Sequence, residues 1–367
     1  MFKRHTKQLI WIALGALVIV LRQITDAHPE WIERYYSRSF FQVLRIGIDY
    51  GLGWIPFPLI YLFAPALLLL LGFRIRRFFR TQGGFSEKLI SGTLSVLGFA
   101  GALVFFFMVL WGFNYGRLPV ESVLKLDPHP LDVKELEMEL EKETETIIAL
   151  RGAIPGVPDT GALVPANFPA DMEQQLRKAL KEQLSLYNYP TRGRVRGRLL
   201  FPKGIFLRFS SAGLYFPFTG EGHADGGLHP LQLPYVLAHE MAHGYGFGDE
   251  GTCNFWAYLA CSRAQSPVLA YCGHLTHWRT LAVHFRRYEP ETYKRLRESL
   301  PPGILADIMA INRNIMEYPD IMPRFREAAY EAYLKSQGIS EGIQNYDRVV
   351  MLVKAWREGR SGEGSGK

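Results

Sequence analysis

Long stretches without a charged side chain constrain this protein more than any other feature. Residues 55–73, IPFPLIYLFAPALLLLLGF, run 19 positions without a charge, and residues 89–113, LISGTLSVLGFAGALVFFFMVLWGF, run 25. Each is long enough to cross a hydrocarbon core of about 30 Å at about 1.5 Å per residue. A third run, residues 9–21 (LIWIALGALVIVL), has 13 positions. It becomes a span over residues 8–25 by borrowing Gln8 and Arg22 to Thr25, with the Arg22 guanidinium snorkelling to the interface. No small-x-small cleavage site follows it, which argues against a removed signal peptide. The expectation is a membrane anchor over residues 1–116 with three transmembrane helices.

Basic residues set the expected orientation. Lys3, Arg4 and Lys7 precede the first run, and Arg74, Arg76, Arg77, Arg80 and Lys88 crowd the segment between the second and third. Between the first and second runs, arginines are balanced by Asp26, Glu30, Glu33 and Asp49. The N-terminus and residues 74–88 therefore belong in the cytoplasm, with everything after Phe113 outside. In a bacterial cell that is an inner-membrane protein with a periplasmic domain. The formal charge of +7 is largely this positive-inside signal. No Lys/Arg stripe with interleaved aromatics points to nucleic acid, so the lipid bilayer is the expected partner.

Past the anchor the pattern is that of a soluble α+β domain, mostly helical with a small β-sheet, over residues 117–358. Residues 114–130 read as an extended linker with Pro119, Pro128 and Pro130. Leu131 to Arg151 and Asp171 to Tyr187 read as amphipathic helices. RLLFPKGIFLRFSS and GLYFPFTG read as β segments, EGHADGGLHP as a loop, and Pro234 as the opening of a helix. From Gly251 to Trp356 the pattern is helical. The tail 359–367, GRSGEGSGK, is disordered by composition. Of the three cysteines, Cys253 and Cys261 fall on one helix and cannot bridge each other. A Cys261–Cys272 disulfide and buried thiols both remain open.

The chemistry centres on LAHEMAHGYGFGDEGTCN, residues 237–254. On a helix, His239 and His243 share one face and can present imidazole nitrogens to one ion, most simply Zn²⁺. Glu240, about 100° further round the helix, reaches a metal-bound water rather than the metal. That is the division of labour in H-E-x-x-H peptidases, two ligands and a general base. The flanking Val236, Leu237, Ala238, Met241 and Ala242 are uncharged. Burying the imidazoles and carboxylate among them without partners would cost several kcal/mol.

A catalytic zinc needs a third protein ligand and an open position. Glu250 follows the glycine-rich GYGFGD in a gluzincin-like order, with Asn254 one turn on to orient a ligand. Asp249 completes an H-E-x-x-H-x-x-G-x-x-D spacing. His274 and His277 are further alternatives. IMEY at 315–318 resembles a Met-turn but lies in a helical pattern. A strand over Ser210 to Phe218, with Ser211, Ala212, Gly213, Leu214 and Tyr215 at its centre, precedes the histidine helix and could bind extended substrate by its edge. His274, His277, Tyr258 and Tyr346 are candidates for stabilising an oxyanion.

GLYFPFTGE, AHEMAHGYGFGDE, NFWAYLAC and YLKSQGISEGIQNYDRVV, with FNYGRLP after the third apolar run, resemble the DUF3810 family of bacterial membrane proteins of the Bacteroidetes type. The resemblance covers nearly the whole chain. It implies a zincin-like metallopeptidase domain tethered to a membrane. Where related sequences read E-x-E-A-N, this one reads Glu250-Gly-Thr-Cys-Asn254, with Thr252 at the second glutamate. The expected function is a membrane-anchored zinc metallopeptidase acting on peptides or proteins of the cell envelope. His239, His243 and Glu250 would hold Zn²⁺, and Glu240 would activate the zinc-bound water. A zinc-stabilised envelope binding protein that cuts nothing is the alternative.

Overall fold

Two helices carry the apolar character of the N-terminal third. The computed structural model describes residues 2–80, 84–339, 345 and 347–364. The chain forms two units, Met1–Leu118 with Phe216–Glu221, and Pro119–Tyr215 with Gly222–Lys367. The first unit holds α1 (Phe2–Asp26), α2 (Pro29–Trp31), a π-helical turn (Ile32–Phe40), α3 (Phe41–Leu52), α4 (Ile60–Arg80), α5 (Phe85–Leu110) and a 3₁₀ turn (Gly112–Gly116).

Helices α1 and α5 are long and apolar enough to cross a membrane, and they pack on each other through glycine. A Cβ at Gly15 would stand 2.7 Å from Gly101 Cα, and one at Gly101 would stand 2.4 Å from Trp11 O. Small residues at a crossing let two backbones approach, as helices in lipid require. The span expected at 8–25 extends through α1, where Arg22 pairs with Asp26 rather than standing alone.

The helix expected over residues 55–73 starts later than the apolar run. Residues 55–59, with Pro56 and Pro58, stay outside α4, because proline lacks an N–H and disfavours helix in the residue before it. Helix α4 starts at Ile60 and ends in an arginine-rich stretch with Arg74, Arg76, Arg77 and Arg80. Its uncharged part, Ile60 to Phe73, is only about 21 Å long. Among the described residues, two helices rather than three meet the length and apolarity of a span.

The segment between α1 and α4 is folded around buried polar groups. Arg117 grips Glu33 with two bonds, at 2.8 and 2.9 Å, and Arg38 adds a third at 2.6 Å. Ser37 Oγ donates to Asn114 Oδ1 at 2.8 Å, and Tyr36 donates to Val109 O at 2.9 Å. Asn114 and Arg117 belong to the FNYGRLP stretch. They tie the end of α5 to the π-helical turn.

The second unit contains α6 (Val120–Leu124), α7 (Val133–Gly152), α8 (Met172–Leu186), β1 (Arg196–Leu200), β2 (Gly213–Phe216) and β3 (Glu221–Asp225). It continues with α9 (Leu233–Gly244), α10 (Glu250–Ser262), α11 (Pro267–Tyr288), α12 (Pro290–Glu298), α13 (Pro302–Met316), α14 (Pro323–Ser336) and α15 (Val349–Gly364). The fold is mostly helical with one three-stranded sheet in the order β1-β3-β2. Helix α7 starts where Asp132 and Glu135 form a reciprocal capping box. The expected linker 114–130 holds a 3₁₀ turn and α6, and only its proline-bearing end is extended.

Two further expectations are revised. EGHAD, read as loop, is the central strand β3 and wholly buried. Its polar side chains are tolerated because each has work at hand. Asp225 accepts from the N–H groups of Gly204, Phe206 and Gly227 at 2.7 Å, and His223 Nδ1 lies 3.2 Å from Leu214 O. The tail read as disordered from Gly359 is helical as far as Gly364. Helix propagation adds one hydrogen bond per residue to turns already anchored by Trp356.

Helix α10 is the axis of the second unit and packs against α8, α9, α11 and α15. Phe255, Trp256, Leu259 and Cys261 on it are fully buried. All three cysteines are free, buried thiols. Beside α10, Glu143 of α7 accepts from His274 Nδ1 at 2.6 Å and pairs with Arg357, which also donates to Tyr258 at 2.6 Å. Burial opposes the charge on Glu143, but these partners outweigh it and hold the carboxyl at about 2. Burial, reinforced by Arg357 and His274 against the pull of Glu143, pushes the neighbouring His277 down to about 3.

This cluster predicts acid lability. Unfolded His277 takes up a proton at its ordinary value of 6.5, whereas the folded residue stays neutral to about 3. Falling pH therefore favours unfolding from about 6.5 downward. The Glu143 contribution, present above 4.5, is lost in turn as pH falls toward about 2. The melting-temperature advantage of the wild type over His277→Gln should shrink steadily from about pH 7 to pH 4.5 in thermal scans. A difference that does not vary with pH would remove His277 from this role.

Candidate metal centre

Proline 234 sits in the first turn of α9, where its missing N–H is not needed. Gly244 ends the helix against Val195, whose Cγ1 would be 2.4 Å from any Cβ placed there. Gly246 then takes a φ of +87°, a conformation open to glycine at no steric cost. The chain reverses and α10 starts, capped by Asp249, whose carboxylate accepts from Thr252 N at 2.6 Å. This tight connection delivers Glu250, the first residue of α10, to the histidine face of α9.

Three ligand atoms converge. His239 Nε2 and His243 Nε2 are 3.1 Å apart. Glu250 Oε2 lies 3.1 Å from the first and 3.3 Å from the second. Four ligands held tetrahedrally at about 2.0–2.1 Å from a zinc ion stand about 3.3 Å from one another. The observed triangle has that size. His239, His243 and Glu250 form the one group among the described residues that could hold a metal ion, and all three are buried.

The other ring nitrogens decide what the converging atoms can be. His243 Nδ1 faces Phe247 O at 2.8 Å, and a carbonyl can only accept. His239 Nδ1 faces Asn254 Oδ1 at 2.8 Å. Both Nδ1 atoms therefore carry hydrogen in the neutral rings, and both Nε2 lone pairs point at each other and at a carboxylate. Such a cluster repels itself unless positive charge lies in the middle. Either a metal ion or a proton can supply that charge. Burial pushes the His243 imidazole down, yet Cys253 and Glu250 outweigh it and hold its value well above the ordinary one. Burial likewise opposes the Glu250 charge, and the two imidazoles hold that carboxyl well below the carboxylate range. The residues present fit a divalent cation.

The surroundings fix this geometry. Tyr330 of α14 donates to Glu250 Oε1 at 3.1 Å, leaving Oε2 for the centre. Tyr235 donates to Asn254 O at 2.9 Å, holding the start of α10. Cys253 Sγ lies 3.3 Å from His243 Nδ1 and 3.4 Å from Phe247 O. Asp249, the alternative ligand, is turned away and occupied by Thr252, Asn345 and Arg348. Thr252 faces Asp249 rather than the centre. His274, His277 and Tyr258 belong to the Glu143 cluster, and Tyr346 lies outside the described residues. Tyr330, 80 positions from Glu250, was not anticipated; a lone tyrosine in an amphipathic helix carries no local signal. IMEY straddles the end of α13, so Ile315 and Met316 are helical.

Glu240 is buried beside these ligands. Among the described residues its Oε2 has no hydrogen-bond partner. Burial holds its carboxyl above the ordinary value, against the pull of His239 and His243. Two glycines of the sheet make room for it. A Cβ at Gly213 would stand 2.6 Å from Glu240 Oε1, and one at Gly222 would stand 2.7 Å from Glu240 Cβ. Of the expected substrate strand, Gly213, Leu214 and Tyr215 lie in β2, an outer strand of the sheet. Ala212 precedes it and accepts from Asp225 N at 2.9 Å, and Ser211 Oγ donates to Gly213 O. Leu214 is exposed and Tyr215 buried.

The family model described as Protein of unknown function (DUF3810) matches residues 36–354, most of the chain. Comparison with curated proteins and with solved structures returns no match.

The ligand set makes a direct prediction. Full-length wild type purified in detergent should carry about one divalent cation per chain by elemental analysis. Glu250→Ala should lose most of it, and Asn254→Ala should weaken affinity about 10–100-fold. Asp249→Asn should keep the metal. Retention by Glu250→Ala with loss in Asp249→Asn would exchange the third ligand.

Proposed function

Because the chain belongs to the DUF3810 family, whose function is open, we propose on the geometry of its site that it is a membrane-anchored zinc metallopeptidase of the cell envelope. One observation carries this reading: a buried carboxylate, Glu240, with an oxygen that has no hydrogen-bond partner among the described residues, stands next to a converging His-His-Glu set. An orphaned buried oxygen of a charged group costs a few kcal/mol. It persists where a reactant supplies the partner. When bound, Zn²⁺ acts as a Lewis acid and lowers the pKa of water in its open position.

The residues divide the work. His239 and His243 offer Nε2 because Asn254 and the Phe247 carbonyl hold Nδ1. Tyr330 positions Glu250. Glu240 takes a proton from the attacking water and returns it to the leaving amine, a task suited to a carboxyl raised by burial. The outer edge of β2 offers main-chain groups to an extended peptide, and Gly213 keeps that strand close to the Glu240 carboxylate.

The reading includes three crossings. Helix α4 has no buried side chain; apart from a half-buried stripe of Ile60, Phe63, Leu67 and Leu71, its uncharged part is exposed, which suits lipid and not water. Its terminal arginines can snorkel to the interface. Crossing parity then matters. With α4 as a span, both basic clusters lie in the cytoplasm and the second unit lies outside. Without it, the clusters lie on opposite faces, against the usual charge bias.

Two experiments test this. Glu240→Gln should keep its metal while hydrolysis of a quenched fluorogenic peptide pool falls about 10²–10⁴-fold. Turnover that survives the change would end the catalytic assignment. An alkaline phosphatase fused after residue 358 should be active in cells; an inactive phosphatase with a fluorescent cytoplasmic reporter at the same point would reduce the crossings to two.

A further inference from the structure

Most exposed large apolar side chains of the second unit fall in two stretches, 199–214 and 309–322. The two are zipped together. Ile321 N donates to Arg208 O at 2.9 Å, and Ser210 Oγ donates to Asp320 Oδ2 at 2.5 Å. The Tyr318 ring lies against Gly204, where a Cβ would stand 2.4 Å from Tyr318 Cδ1. The joint surface presents Ile205 and Phe209 from one side and Met316, Ile321 and Met322 from the other, all between 42% and 70% exposed. Contiguous apolar surface of this kind on a soluble unit marks an interaction site.

Charge names the occupant. Lys203, Arg208, Arg313 and Arg324 are exposed in and beside these stretches. The acids are fewer: Glu317 is exposed, and Asp320 is neutralised by Arg326 at 2.9 Å. Apolar side chains ringed by lysine and arginine are the composition of a surface that lies in the headgroup region of an anionic bilayer. Covalent continuity adds an independent argument. The same stretch runs through Leu214 into Phe216–Glu221, which belongs to the first unit. There Phe216 and Phe218 meet Phe63 of α4 at 5.1 and 5.5 Å, and Glu221 accepts from Leu59 N at 2.7 Å. Leu214 therefore lies two residues from a segment fastened to the start of α4.

We infer that the face built by residues 201–210 and 316–322 docks on the surface of an anionic lipid bilayer. The inference rests on the membrane-anchor half of the proposed function and is independent of the metal chemistry. It narrows the substrate class. The β2 edge continues from this face, so the polypeptides that reach Glu240 are those held at the membrane surface.

The test uses the full chain in nanodiscs whose acyl chains carry bromine, with about a quarter phosphatidylglycerol. Cysteines at Ile205 and Phe209 would carry a bimane label; Cys253, Cys261 and Cys272 are buried and stay unlabelled. Leu97→Cys in α5 serves as the lipid control and Met138→Cys in α7 as the water control, both positions being exposed. Labels at 205 and 209 should be quenched at least about twofold, like 97 and unlike 138. Lys203→Glu with Arg208→Glu should reverse much of that quenching. If 97 is quenched while 205 and 209 behave like 138, the face meets water or a protein and the inference fails alone. If 97 is not quenched either, the membrane anchor and the docking fall together.

Discussion

Convergence of three ligand atoms on one point is the constraint around which the candidate site of the second unit is built. The nitrogens of His239 and His243 and an oxygen of Glu250 are held 3.1–3.3 Å apart. That arrangement is costly unless a metal ion or a proton lies at its centre. The fold supports it from every side. Gly246 turns the chain, Asp249 caps the returning helix, Asn254 and Phe247 O set the ring tautomers, and Tyr330 takes the spare carboxylate oxygen. Support of this density around a ligand set is what separates a binding centre from two histidines that share a helix face.

Legibility followed sequence separation. His239, Glu240 and His243 lie within five positions, where helical period alone puts two imidazoles on one face. Glu250 and Asn254 are one turn apart on α10, so placing one at the centre places the other behind it. Glycines at 244 and 246 signalled the reversal between the two helices. Discrimination between Glu250 and Asp249 was beyond the pattern, since either carboxylate suits the spacing. In the structure Asp249 starts α10 and binds Arg348, whose distance in sequence hides it, while Glu250 faces the two histidines. Strand β3 was misread because its glycine, histidine and acids suggest a turn. Those residues are there to make room for Glu240 and to satisfy loop N–H groups, demands invisible in a local window.

The same logic explains the first unit. Apolar runs are visible in one dimension, but proline 58 and four arginines shorten α4 at both ends, so hydropathy over residues 55–73 overstates the helix. The polar segment that follows α1 is folded by Glu33, Ser37 and Tyr36 against residues 108–117. Buried ion pairs rarely add net stability over well-packed apolar groups, but losing one partner is costly. Arg117 and Asn114 thus fix the end of α5 against the π-helical turn.

Helix α10 joins the two levels of the second unit. Glu250, Asn254 and Tyr258 recur every four residues, so they form one stripe on one face. The first two belong to the candidate metal centre. The third meets Arg357 and, through it, Glu143 and His274, which come from α15, α7 and α11. A polar stripe through an otherwise apolar core is expensive unless each member is paired. Here the pairs clamp three helices around the helix that presents Glu250. Because the ligand triangle tolerates little displacement, that rigidity is the means by which a core of buried charge serves a site that it never touches.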